Sequence, residues 1–264
     1  MSDKKSKFLT AHQIDGHKGI KSPHAHELDN MGKEWGSMLL NVDINKVKEI
    51  VENELNGKIE NLDFGEDYTI TIEFFPEVNI HILYYNYLED EAFGNTELRF
   101  LFSGERVNLI PAEDLTGYIE AALHLIENYL ENNGKLYDVL EKKSSLLQMA
   151  IRQRIAPFKF FKKEDLNDLA NFVGAKLEES EKEWKLVRTY FNELNVILSY
   201  TNEKLDISFQ GNNVPRVDNY SRDQLGIHLM NHCLRFLLLT HPDIEFPKIV
   251  KQMFSYSYIK SNFE

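Results

Sequence analysis

The sequence predicts an α+β protein built from one module used twice, each copy a helix, three antiparallel strands and a second helix. Three observations carry that prediction. The stretch Phe75-Pro-Glu-Val-Asn-Ile80 returns as Phe191-Asn-Glu-Leu-Asn-Val196, and Tyr84 and Asn86 match Tyr200 and Asn202 at the same offset. A second block, Glu97-Leu-Arg-Phe-Leu-Phe-Ser-Gly104, returns as Lys204-Leu-Asp-Ile-Ser-Phe-Gln-Gly211. Each second block is followed by a helical pattern of similar length, and self-similarity of this kind marks a repeated supersecondary unit. Duplicated modules commonly form a pseudo-twofold pair, which is the arrangement expected here.

Residues 1–38 read as a flexible or extended N-terminal arm, with little periodic hydrophobicity and a composition rich in Lys, His and Gly. The arm carries about one net positive charge on an otherwise acidic chain. Met31, Trp35, Met38, Leu39 and Leu40 are its candidate anchors. Module one, residues 39–134, opens with Ile44, Val47, Ile50, Val51 and Leu55 at helical spacing, stopped by Asn56-Gly57. Tyr68–Phe74, Val78–Tyr85 and Leu98–Phe102 alternate or are rich in β-formers, and Ser103-Gly104 ends the last with a turn signal. Pro111 opens the next helix with Glu113 and Asp114 in its first turn, where proline and carboxylates suit the free amides and the helix dipole.

Residues 135–161 read as a connector, with Leu136, Val139, Leu140, Leu146, Leu147 and Ile151 predicting a helix that runs to about Ile155. Module two, residues 162–264, repeats the order: a helix through Leu166, Leu169, Phe172 and Val173, then strands at 184–191, 194–200 and 204–209. Ser221 with Gln224 three residues on is a capping-box pattern for the start of the last helix. Leu225, Leu229, Cys233 and Phe236 then pair with Leu115, Ile119, Leu123 and Ile126 of module one. About nine extra residues separate the second and third strands of module one, an insertion that a strand-joining loop tolerates.

The bulk properties exclude several classes. A content of 42% hydrophobic and 12% aromatic residues in 264 supports two modules with their own cores. A net charge of −12 disfavours general binding to nucleic acid or anionic lipid. Cys233 is the single cysteine, so no intramolecular disulfide forms. No apolar h-region follows Met1 and no apolar run approaches 18 residues, so the expectation is a cytoplasmic protein without a membrane span.

No dinucleotide, Walker or nucleophile-elbow motif occurs, so the chain offers no catalytic residues and no cofactor, and the reading leans away from an enzyme. In an extended arm His24 and His26 place both rings on one side, and with His17 they join Trp35 as candidate partner contacts. Phe254, Tyr256 and Tyr258 alternate with serines, a pattern for a strand that adds to a sheet edge. Arg152, Arg154, Lys159, Lys162 and Lys163 interleave with phenylalanines and form a candidate anion site. His228 and His232 stand four apart on one helix face, a metal-ligand spacing, but the glutamate of a His-Glu-x-x-His site is missing.

The expectation is therefore a non-enzymatic intracellular protein-binding protein, of adaptor, chaperone-like or assembly type, with a protein partner and room for homo-oligomers. The alternatives are a small-ligand or metal-binding enzyme with a site between the modules, and a nucleic-acid binder that uses the basic 152–163 segment.

Overall fold

The computed structural model describes residues 8–16, 22–87, 96–131, 134–139, 142–181, 183–201 and 203–247. Among them the protein is α+β, with seven α-helices and two four-stranded antiparallel sheets. The chain divides into two compact units, Met1–Gly134 and Lys135–Glu264.

The first unit begins with a one-turn helix α1 (Ala11–Ile14), followed by α2 (Pro23–Gly36) and α3 (Ile44–Asn53). Its sheet runs β1 (Lys58–Glu60), β2 (Tyr68–Phe75), β3 (Val78–Asn86) and β4 (Thr96–Ser103), each paired to the next. Alternation puts Ile70, Ile72, Phe74, Ile80 and Phe102 on one buried face. The long helix α4 (Ala112–Leu130) covers that face, with Tyr118 lying 4.4 Å from the Phe74 ring. The sequence predicted three strands per module. The fourth, β1, is three residues long, too short for alternation to announce it.

Within the first 38 residues, the described stretches 8–16 and 22–38 differ from the expected extended arm, because α1 and α2 fold onto their own unit. Ser22 Oγ caps α2 by accepting the Ala25 amide at 3.2 Å, and Pro23 sits at the first turn. Met31 and Leu39 are buried, as anchors of that stretch should be. Periodicity is weak here because much of the contact is made by glycine. A Cβ on Gly32 would fall 2.1 Å from the Leu98 carbonyl oxygen, and one on Gly36 3.0 Å from the backbone of Thr96 and Glu97. Helix α2 thus lies directly on the open edge of β4, which protects an edge that would otherwise pair with other chains. Gly32→Ala should lower stability by about 1–3 kcal/mol in urea denaturation, because the helix must lift off the strand.

In the second unit, α5 (Ser145–Phe158) and α6 (Leu166–Val173) precede a sheet of β5 (Lys176–Glu179), β6 (Glu183–Phe191), β7 (Leu194–Thr201) and β8 (Lys204–Gln210). Helix α7 (Asn219–Thr240) closes it. The helix expected from Leu136 begins instead at Ser145, capped by Ser144. Before it the Tyr137 amide donates to the Pro215 carbonyl at 2.7 Å and leaves Leu136 and Val139 exposed. Helix α7 also starts earlier than the Ser221 pattern implied. Asp218 is the cap, its carboxylate accepting the amides of Tyr220 at 2.8 Å and Ser221 at 3.0 Å.

The two units share local geometry beyond the order of their elements. Both β2–β3 and β6–β7 carry a register shift just before the hairpin turn. Glu77 and Glu193, the second turn residues, both have positive φ, 64° and 52°. Their carbonyls accept the amides of Arg106 at 3.2 Å and Asn213 at 3.1 Å. The caps Pro111 and Asp218 stand 107 residues apart, as do Gly104 and Gly211. This spacing places Arg222, not Leu225, opposite Leu115 and corrects the helix pairing expected from sequence.

Candidate functional site

On the first unit a groove of about 570 Å³ opens where the end of α2 meets the end of α4. Its floor is Trp35, Met38, Val42 and Leu130, and its rim is Glu34, Glu127 and Glu131. Trp35 is half-buried, its ring edge-on to His124 at 4.6 Å. His124 in turn lies 4.0 Å from Glu120 and 3.9 Å from Glu127. The result is an apolar strip under a carboxylate rim, a surface suited to an apolar segment that carries positive charge.

Among the described residues Trp35 is the one proposed partner contact that lies in this groove. His24 and His26 do not converge: α2 is helical there, so residues two apart point about 200° apart. The His24 Nδ1 lies 3.0 Å from Asp15, whose hydrogen bond raises the histidine above its ordinary pKa against the opposing effect of burial. That pair therefore holds the α1 segment most firmly below about pH 6.5 and loosens as pH rises through the raised value. His26 is exposed, with Asn30 at 3.5 Å. His17, Phe254, Tyr256 and Tyr258 lie outside the described residues.

The basic segment does not assemble into one site. Arg154 is buried in α5, its Nε donating to Asn231 at 2.7 Å and one terminal nitrogen to the Ala150 carbonyl at 3.2 Å. Arg152 points away from it into solvent. Lys159 sits over the Phe160 ring, while Lys162 and Lys163 lie 3.9 Å from Glu164 and 3.7 Å from Glu179. On α7, His228 and His232 are core residues, and His232 stacks on Phe172 at 4.5 Å. Cys233 is fully buried, and burial pushes its thiol far up, away from thiolate chemistry. Among the described residues no group of three or more His, Cys, Asp or Glu side chains is placed to hold a metal ion.

Sequence reasoning missed two clusters. Across the sheet of the first unit, the Glu60 carboxylate accepts the Thr71 hydroxyl at 2.6 Å, and Thr71 Oγ1 lies 2.8 Å from His81 Nδ1. His81 Nε2 lies 2.8 Å from the Ser103 hydroxyl. The Glu60 anion sets the direction of the chain: Thr71 donates to it, Nδ1–H donates to Thr71, and Ser103 donates to Nε2. Burial pushes His81 down to about 4, so the ring is neutral and this order holds at neutral pH. In the second unit a cavity of about 190 Å³ lies between the first turns of α5 and α7 and strand β8. There Ser144 donates to Asp223 while accepting the Leu147 amide at 3.1 Å, and Lys143 pairs with Asp206 at 2.8 Å. Burial raises Asp223 and lowers Arg222 from their ordinary values. The Ser144 oxygen is occupied as a helix cap, so the cluster holds the two helix starts together.

No helix among the described residues is long and apolar enough to cross a membrane. Comparison of the chain with protein-family models, curated proteins and solved structures finds no match in any of the three.

Proposed function

We propose that this is a non-enzymatic intracellular protein-binding protein, an adaptor or assembly component, made of one module used twice. The groove beside Trp35 seats a segment of the partner with apolar and basic side chains. The observation that carries this reading is the groove itself, whose apolar floor of Trp35, Met38, Val42 and Leu130 lies under the carboxylates of Glu34, Glu127 and Glu131. The repeated turn geometry around Glu77 and Glu193 supports the duplication.

The test is charge reversal on the rim. Glu131 is exposed and Glu127 half-buried with its side chain 47% accessible, so Glu127→Lys with Glu131→Lys should leave the thermal midpoint close to wild type. Captured from native lysate, the double variant should retain a stoichiometric wild-type partner about tenfold less well, as loss of roughly 1.4 kcal/mol would give. Retention of the same partner by both forms, or of none by the wild type, overturns the proposal.

A further inference from the structure

We infer that the second unit carries an edge-strand docking site at Phe209 of β8, which takes a partner segment that pairs there through one extended aliphatic residue and continues into a short helical turn with an acidic end. The inference rests on reading the chain as one module used twice, because the first unit shows what fills the corresponding place. There Leu9 donates its amide to the Phe102 carbonyl at 2.7 Å and accepts the Phe102 amide at 2.8 Å. Ala11 and Ile14 follow into buried positions, and Asp15 ends the segment against His24 at the start of α2.

Phe209 occupies the same place in its own ladder. Phe102 lies opposite Ile80 and two residues before Gly104; Phe209 lies opposite Val196 and two residues before Gly211. In an antiparallel ladder a residue at such a position turns both its N–H and its C=O away from the inner strand. Among the described residues no backbone group outside the sheet pairs with Phe209.

Helix α5 does not close this edge as α2 closes β4. Counted from the serine caps, the places of Gly32 and Gly36 are taken by Arg154 and Phe158. Arg154 reaches to Asn231 and Phe158 stacks toward Trp184 at 6.2 Å, so the helix packs by side chains rather than by backbone. What remains is the cavity of about 190 Å³ bordered by Leu147, Ile207 and Phe209. Val139, 53% exposed, forms an apolar lip. Lys142 and Lys143, just before the Ser144 cap, border the cavity and bring positive charge to it, Lys143 pairing with Asp206 at 2.8 Å; counted from the caps, the place of His24 is taken by Leu146. The occupant is thus a segment of the Leu9–Asp15 kind: one extended aliphatic residue that pairs with the strand edge, then a helical turn with a small, an aliphatic and an acidic side chain, the last meeting Lys142.

The probe is a capped synthetic peptide with the sequence of Phe8–Asp15, titrated into the full chain while backbone amide exchange is followed. Binding should saturate and slow exchange at Phe209 roughly tenfold once the peptide is in tenfold excess over its dissociation constant. Exchange at Phe102, already paired with Leu9, should not change. Proline at the Leu9 place of the peptide removes the donor and should abolish binding, and Lys142→Glu should weaken it a few-fold without lowering the thermal midpoint. No saturation, or saturation without protection of Phe209, overturns the inference. Protection of Phe209 that appears with self-association and no peptide also overturns it, since a second copy is then the occupant. The rim reversal at Glu127 and Glu131 does not touch this site, so the two readings fail separately.

Discussion

Replacing Gly104 or Gly211 with alanine should lower stability by about 3 kcal/mol or more, seen as a shifted midpoint in chemical denaturation. Two effects act together at each position. Both glycines have φ +117°, a conformation that side-chain-bearing residues rarely adopt. A Cβ would also stand 1.9 Å from the carbonyl oxygen of Glu77 or Glu193, where neither partner is a flexible side chain. Those carbonyls already accept Arg106 and Asn213, so relief by moving the turn breaks a hydrogen bond as well. Amide exchange should rise first in β2–β4 for Gly104→Ala and in β6–β8 for Gly211→Ala. A change below 1 kcal/mol in either variant would mean that the close approach is not maintained in solution.

Stability should also fall steeply as pH is lowered from about 6.5 toward 4, by roughly 3 kcal/mol from His81 alone. The sign follows from the direction of the shift. Burial depresses His81 in the folded state to about 4, while Glu60 opposes that shift and Lys58 adds to it. Below about 6.5 the unfolded chain takes up a proton that the folded chain refuses, so protonation favours unfolding. Once charged, the ring can no longer accept from Ser103, and the chain of donors from Ser103 to Glu60 breaks. The carbon-bound ring proton of His81 should titrate near pH 4 by NMR, and His81→Phe should flatten the slope of stability in that window. A titration midpoint near 6.5 in the native protein would show that the ring is solvated and would remove the effect.

The sheets and their covering helices were legible because alternation and helical spacing are strong signals over eight or more residues. The turn glycines were legible as stops, though not as contacts with residues 77 and 193. Helix α2 escaped detection because Gly32 and Gly36 carry much of its contact, which thins its apolar stripe to Leu28, Met31 and Trp35. The His81 network joins four strands and the Ser144–Asp223 pair spans 79 positions, so neither leaves a local motif. Arg154 shows the reverse error, and the α7 histidines do not. Charge suggested Arg154 as an anion contact, whereas burial makes it part of the core, and the histidines, whose spacing lacked the zinc-site glutamate, lie in the core as well. Of the candidate site, Trp35 was visible as an anchor, but its carboxylate rim depends on Glu127 and Glu131, which α4 brings from nearly a hundred residues away.

The seating of α2 on β4 also sets an order of events during synthesis. The helix leaves the ribosome first, yet its seat ends at Ser103, 67 residues after Gly36. At typical elongation rates that gap lasts roughly 3–13 s. Throughout it the glycine face of α2 has nothing to rest on, and the nascent sheet has no guard on its last strand until that strand itself emerges. The α2–β4 contact therefore forms only after β4 emerges, and slowed translation between residues 36 and 103 should lengthen the interval in which a nascent-chain chaperone has something to hold.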